Sequence, residues 1–229
     1  MVLGERLRAI AGLVGDFRRL ADIGSDHAYL PVWLILQGKA DFVIAGEIQQ
    51  GPLEAARRTI TEMALEDCIE ARLGDGLAVV RPGEIDVIVI AGMGGASIRG
   101  ILERSPLVVG KLSRIVCQPM TGAAGLRRWL LEHGWLIDAE ELVMEDGRLY
   151  EVVAAKPGIA AVPEDLLLEV GPLLWQNRHP LLTEQIERLL QQYQSRVNAM
   201  QHSIAPTVVR QMQLWQQRII QLEAMRTCL

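Results

Sequence analysis

Between residues 19 and 157, short apolar runs alternate with stretches of helical period, a pattern that predicts a β-then-α chain. An amphipathic helix comes first, with Leu3, Leu7, Ile10, Ala11 and Val14 on one face. "RLADIG" reads as a short buried strand and "HAYLPVWLILQG" as a helix closed by Gly38. "DFVIAGEI" is a second strand, followed by the helix "GPLEAARRTITEMAL" with Pro52 in its first turn, where a missing N–H costs nothing. "CIEARLGDGL" is a third strand, and "IDVIVIAGMGG" a fourth, a continuous β-branched run suited to the middle of a parallel sheet. A fifth strand, "RIVCQP", leads to the helix "AAGLRRWLLEHG", with Gly134 at its end.

The period then changes. "WLIDAEELVM" and "RLYEVVAAK" are strand-like runs joined through Asp146-Gly147, a strong hairpin signal. Five β-then-α units followed by an antiparallel hairpin match the S-adenosylmethionine (SAM) methyltransferase variant of the doubly wound, Rossmann-like α/β plan, an analogy at the level of fold alone. Lys156-Pro157-Gly158 marks a boundary, so one domain is expected over residues 1–157 and a second over 158–229. In the second, Val208, Met212, Trp215, Ile219 and Leu222 follow 4-3-4-3 spacing, as in a coiled-coil seam. Leu182, Ile186, Leu189, Tyr193 and Met200 keep that register, with Val197 displacing the seam from Arg196. "HSIAPT" interrupts the two runs. An antiparallel helical hairpin is expected, as a packed appendage in preference to a dimerising coiled coil, so a monomer is favoured over a dimer.

Composition narrows the setting. The 229 residues are half hydrophobic and carry a net charge of −5, which argues against a generally basic nucleic-acid coat. Cys68, Cys117 and Cys228 lie far apart and form no C-x-x-C, which points to a reducing compartment without structural zinc. The first residues lack a signal-peptide pattern, and no apolar run approaches the ~20 residues of a membrane helix. A cytoplasmic protein is expected.

The chemistry gathers at strand ends, where ligands of α/β sheets sit. Four carry polar punctuation: Asp22 to His27, Gly46-Glu47, Gly74-Asp75-Gly76 and Ala91 to Gly95. Gly24 permits close backbone approach, and Asp22 suits an ammonium group. Glu47 is placed for a ribose diol, which NAD would also present, and Asp75 can accept from an adenine amino group. Gly92 to Gly95 leave a bare wall for a flat group. "SDHAY" replaces the later glycines of a pyrophosphate loop, and SAM has no pyrophosphate to be held. Structural alternatives stand beside each residue: Asp26 as a helix N-cap, Asp75 as a turn residue, Gly94-Gly95 as the start of a helix. His27 lacks metal-type spacing and suits a stacking role, and the pairs Arg18-Arg19, Arg57-Arg58 and Arg127-Arg128 read as solvated faces. The fourth strand end has no Asn/Asp-Pro-Pro-aromatic motif of exocyclic-amine methylation. A ring nitrogen such as adenine N1, whose product is a cation, needs placement and a facing carboxylate instead. Asp26 is the acid left for that task.

"DIGSDHAYLP", "GEIQQGPLEAA", "GDGL", "IVIAGMGG", "CQP" and "EELVMEDGRLYEV" together resemble the bacterial TrmK family, from Glu5 to Lys156 and more weakly through the tail. The resemblance implies SAM-dependent methylation of adenine N1 at position 22 in the D-arm of tRNA. On that basis the expected cofactor-binding set is Asp22, Gly24, His27, Glu47, Ile48, Asp75, Gly76 and Gly92. Asp26 and Tyr29 are the expected catalytic residues, and Arg6, Arg8, Met93 and Gly94 the expected RNA contacts, with no metal. The rival readings are a SAM methyltransferase for a small molecule or protein and a non-catalytic nucleotide-sensing domain with a helical arm. Methyl transfer to bulk tRNA separates the tRNA reading from both rivals.

Overall fold

Val87–Gly94 (β4) lies at the centre of a seven-stranded sheet in the computed structural model, which describes residues 2–200 and 205–229. Val87, Ile88, Val89 and Ile90 are completely buried, as a run with apolar residues on both faces requires. To one side lie β1 (Arg19–Ile23), β2 (Phe42–Glu47) and β3 (Ile69–Leu73). To the other lie β5 (Arg114–Thr121), then the hairpin of β6 (Trp135–Glu145) and β7 (Arg148–Pro157). The order is β3-β2-β1-β4-β5-β7-β6. The first five strands are parallel, and β7 is inserted antiparallel between β5 and β6. Strand order reverses between β1 and β4, so their carboxyl ends open a crevice there. Asp146 (φ 50°) and Gly147 (φ 72°) are both left-handed, the conformation that a two-residue hairpin turn matching strand twist demands.

Helices α1 (Glu5–Leu13), α2 (Tyr29–Leu36), α3 (Gln50–Glu62), α4 (Gly95–Glu103), α5 (Pro106–Val109) and α6 (Ala123–Glu132) complete the unit Met1–Val162. One expectation is corrected here. Arg127 is not on a solvated face: it is fully buried, with Nε 2.5 Å from Glu140 and Nη2 2.8 Å from Glu151. Helix α6 lies against the hairpin, and two acids on facing strands turn inward to meet it. Arg128, the next residue, pairs with Glu132 in partial exposure, as a surface helix position should.

The unit Pro163–Leu229 is helical: α7 (Asp165–Val170), α8 (Pro172–Gln176), α9 (Leu182–Met200) and α10 (Pro206–Thr227). The long helices pack together. The five residues between them cannot span the ~28 Å back to the start of α9, so the pair is antiparallel. Residues 202–204 of the expected break lie outside the described residues, and Pro206 takes the first turn of α10. In α9 the buried stripe passes through Val197, while in α10 only Leu222 of the expected seam is fully buried. Arg196 lies over the rings of Tyr193 and Trp215, 5.6 and 5.7 Å from their centroids, joining the helices by a cation–π contact. The Tyr193 hydroxyl donates to Glu169 at 2.6 Å.

Candidate active site

The loop after β1 is built from outside its own sequence. Its Gly24 and Ser25 amides donate to the carbonyl of Gly46, and the Asp26 amide donates to Glu47 Oε1 at 2.6 Å. Pinned this way, Asp26, His27 and Ala28 all take left-handed conformations, with φ of 32°, 57° and 57°. None is glycine, and the cost is about 1–2 kcal/mol per residue. Such strain persists only where surrounding contacts over-determine it, and it gathers at functional sites. Helix α2 then begins at Tyr29 with Ala28 at the N-cap and no side-chain cap bond. The Asp26 carboxylate is therefore not spent on a cap. It faces solvent, 3.6 Å from His27 Nε2, and His27 stacks on Tyr29 with ring centroids 5.3 Å apart.

Two clefts meet behind this loop. The first, about 370 Å³, is lined by Gly24, Ile48, Asp75, Gly76, Ile101 and Arg104, among others. The second, about 330 Å³, holds Arg6, Asp22, Asp26, Tyr29 and Gly92. Gly24 and Met93 belong to both. Gly24 has φ +76°, a conformation that strains any side chain, and a Cβ there would come within 2.6 Å of the Met93 methyl, which would have to swing aside. At Gly92, also φ +76°, a Cβ would meet nothing within 4 Å, which leaves open space beside the backbone.

Asp22 is 4 % exposed and accepts a hydrogen bond from the Ser25 hydroxyl at 2.8 Å. Burial raises its carboxyl to about 7, and nearby Glu47 adds to the rise, while the Ser25 bond and the Arg6 cation pull the other way. Glu47 is also buried and lies under the loop, not on a cleft wall. Asp75 is met by Arg104 at 3.5 Å across the rim of the first cleft. His27 and Gly94 flank the clefts without lining them. Arg8 sits on the exposed face of α1, paired with Glu5 at 2.8 Å.

Sequence reasoning missed three residues. Gln118, buried in β5, accepts from Arg6 Nη1 at 2.9 Å and from the Gly92 amide at 3.2 Å. Glu145, at the hairpin turn, accepts from the Arg6 amide at 3.2 Å and so supplies the cap that α1 lacks. Arg104 reaches the first cleft from the end of α4. Gln118 was marked by an amide inside an apolar strand and by its place in "CQP", and Glu145 lay within "EELVMEDGRLYEV", but neither block signalled a contact with Arg6; Arg104 had no signal.

SAM fits this donor set. It combines a buried acid for an ammonium, an acid at the rim for an adenine amino group, and glycine backbone where the molecule must pass. Among the described residues, no group of three or more His, Cys, Asp or Glu is placed to hold a metal, and no helix is long and apolar enough to cross a membrane. The Cys117 thiol is pushed up to about 12 by burial and is inert as a nucleophile. The inserted antiparallel strand and the paired clefts define the class as a Rossmann-like SAM-dependent methyltransferase.

Comparison with known proteins narrows the class. The chain belongs to the TrmK family, described as tRNA (adenine(22)-N(1))-methyltransferase, whose model matches residues 20–224. It is 38% identical over 198 residues to the tRNA (adenine(22)-N(1))-methyltransferase of Bacillus subtilis, covering 84% of this chain and 83% of that one. The crystal structure of the B. subtilis enzyme superposes with TM-score 0.90 at 34% identity, over 98% of this chain and 99% of that chain. A Streptococcus pneumoniae protein solved in complex with S-adenosyl-L-methionine superposes with TM-score 0.84 at 30% identity, over 95% of this chain and all of the other.

Proposed function

We propose that the first cleft takes the adenosyl part of SAM and that the second is where its methionine end meets the target adenine. The protein is a SAM-dependent tRNA methyltransferase acting on N1 of adenine 22. The observation that carries the site assignment is the junction of the clefts at Gly24 and Met93, with Asp75 on one side and Asp22 and Asp26 on the other. SAM supplies an electrophilic methyl group on a sulfonium centre. Asp22 holds the ammonium, and Gly92 leaves room for the base to approach edge-on. Asp26 faces the base as positive charge reaches its ring, with Tyr29 beside it. Arg8 remains the candidate phosphate contact on α1. Incubation with labelled SAM and bulk bacterial tRNA, followed by nucleoside analysis, is expected to give 1-methyladenosine. Label in no nucleoside would overturn the reading.

The charge state of Asp22 makes SAM binding depend on pH. The ammonium requires the carboxylate, yet the free protein keeps Asp22 protonated up to about pH 7. Affinity therefore rises by about tenfold per pH unit between roughly pH 5 and 7 and levels off above. Stability runs the other way. A raised carboxyl favours the folded state below the unfolded value, and that contribution is lost as pH climbs through about 7. Ser25, Glu47 and Arg6 are the groups that tune Asp22, and none reverses either sign. Calorimetry across pH 5–8 in two buffers of different ionisation enthalpy checks this. A flat affinity with no proton release would remove Asp22 from the ammonium site.

A further inference from the structure

Between Ala91 and Met93 strand β4 carries one residue more than β5, and β5 restores the register with an extra residue at Met120. Ala91 pairs with Gln118 and Met93 with Pro119, so Gly92 has no partner in register and bulges. A left-handed glycine in that position re-aims the residue that follows it, here Met93, the side chain shared by both clefts. The bulge leaves the Gly92 N–H without a place in the β-ladder. Gln118 receives it instead, with the same oxygen that accepts from Arg6. Two N–H donors converge on one atom, which fixes the orientation of the amide: a flipped group would point its own hydrogens at both. Gln118 is fully buried, and its nitrogen donates to the weakly accepting sulfur of Met120, at 3.5 Å.

We propose that Gln118 is a positioning residue for methyl transfer, its side-chain carbonyl locking Arg6 and the Gly92 bulge in register on opposite walls of the reaction cleft. Arg6 comes from α1 and Gly92 from β4, and the Gln118 oxygen ties the two walls together at this point. With Gln118 in place, the Arg6 cation stands at a set position beside Asp22, and the bare wall at Gly92 stays at the height where the base enters. Without it, Glu145 still holds Arg6 from the hairpin side, but the inward anchor is gone. The proposal rests on the reading of the second cleft given above.

Gln118→Ala is expected to lower kcat for tRNA methylation by about ten- to a hundredfold, the scale of a misplacement near 1 Å. It should also shift the pH midpoint of SAM binding upward, because the cation opposing the rise at Asp22 is no longer fixed. Gln118→Glu keeps an acceptor oxygen for both donors in nearly the same volume and recovers most of the lost rate. In a cycle with Arg6→Ala, the losses should be clearly less than additive, since Gln118 acts in part through Arg6. Additive losses in that cycle, an unmoved midpoint, or a Gln118→Glu variant as slow as Gln118→Ala would each overturn the proposal. Should Gln118→Ala fail to fold, the Arg6→Ala rate decides together with Gln118→Glu: a Gln118→Glu rate near wild type beside a slowed Arg6→Ala supports the proposal, and an Arg6→Ala rate near wild type overturns it. Asp22→Asn separates the two readings. If it abolishes SAM binding while Gln118→Ala changes nothing, only the positioning role fails. If Asp22→Asn also binds SAM normally, the cleft assignment fails with it.

Discussion

Asp26→Asn is expected to slow single-turnover methylation of tRNA by roughly 10²–10³-fold, the loss that follows removal of one preorganised electrostatic group. Folding, SAM affinity and tRNA affinity should change little. The structure makes this substitution clean. Helix α2 starts at Tyr29 without a side-chain cap, so the Asp26 side chain contributes nothing to its beginning. The loop is held through the Asp26 amide on Glu47, a bond that asparagine keeps. What asparagine removes is the charge. Adenine N1 bears no proton, so the step needs no base. As its in-plane lone pair forms the new bond to carbon, positive charge arrives on the ring. A carboxylate over that ring favours the transition state more than the ground state, which is the condition for raising the rate. The base must also leave its stack, at a cost of a few kcal/mol, and a carboxylate accepting from its amino group helps hold it. Rapid-quench measurement with saturating enzyme isolates the step. A near-wild-type rate in Asp26→Asn would reduce Asp26 to a shaper of the loop.

What could be read in the sequence followed from local rules. The β-branched run 87–90 could only be a central strand, and Asp146-Gly147 could only be a tight hairpin. Asp22, Glu47 and Asp75 stood out because an acid after an apolar strand is conspicuous wherever its partner lies. The residues that escaped owe their roles to partners distant in the chain. Nothing in Asp-His-Ala signals three left-handed residues, since glycine is the usual mark. The cause is a carboxylate 21 positions on. Arg6 was read as a phosphate contact near the cleft mouth, and nothing local signals that Gln118, 112 positions later, accepts from it in the cleft wall. Glu47 was read as a ribose acceptor, and the structure places it beneath the loop, accepting from the Asp26 amide. Arg127 beside Arg128 looked like a surface pair because helical period alone does not say which arginine faces two acids on strands not yet formed.

That buried arginine carries the largest expected effect on stability. Arg127→Met should destabilise the protein by about 3–5 kcal/mol, the range for removing one partner of a buried ion group. The loss comes less from missing attraction than from what remains. Glu140 and Glu151 would keep their charges inside the protein, with side chains 0% and 7% exposed. For a chain of this size the midpoint of thermal unfolding should fall by roughly 10 °C. Lysine is no substitute, because an ammonium cannot present the planar fork that reaches both acids. Arg127→Met combined with Glu140→Met and Glu151→Leu should restore most of the stability, since apolar groups of similar volume need no pairing. Acid should narrow the gap between Arg127→Met and wild type, because buried carboxyls deprived of the arginine take up protons readily and lose their penalty. Scanning calorimetry at two pH values tests both claims; an Arg127→Met protein as stable as wild type at pH 8 would refute them. The consequence extends to the active site. Arg127 fastens α6 to the hairpin, and the turn of that hairpin supplies Glu145, which caps α1 and steadies Arg6 at the cleft. A chain loosened at Arg127 should therefore also lose methylation rate at temperatures well below its unfolding midpoint, as the first helix frays from the wall it completes.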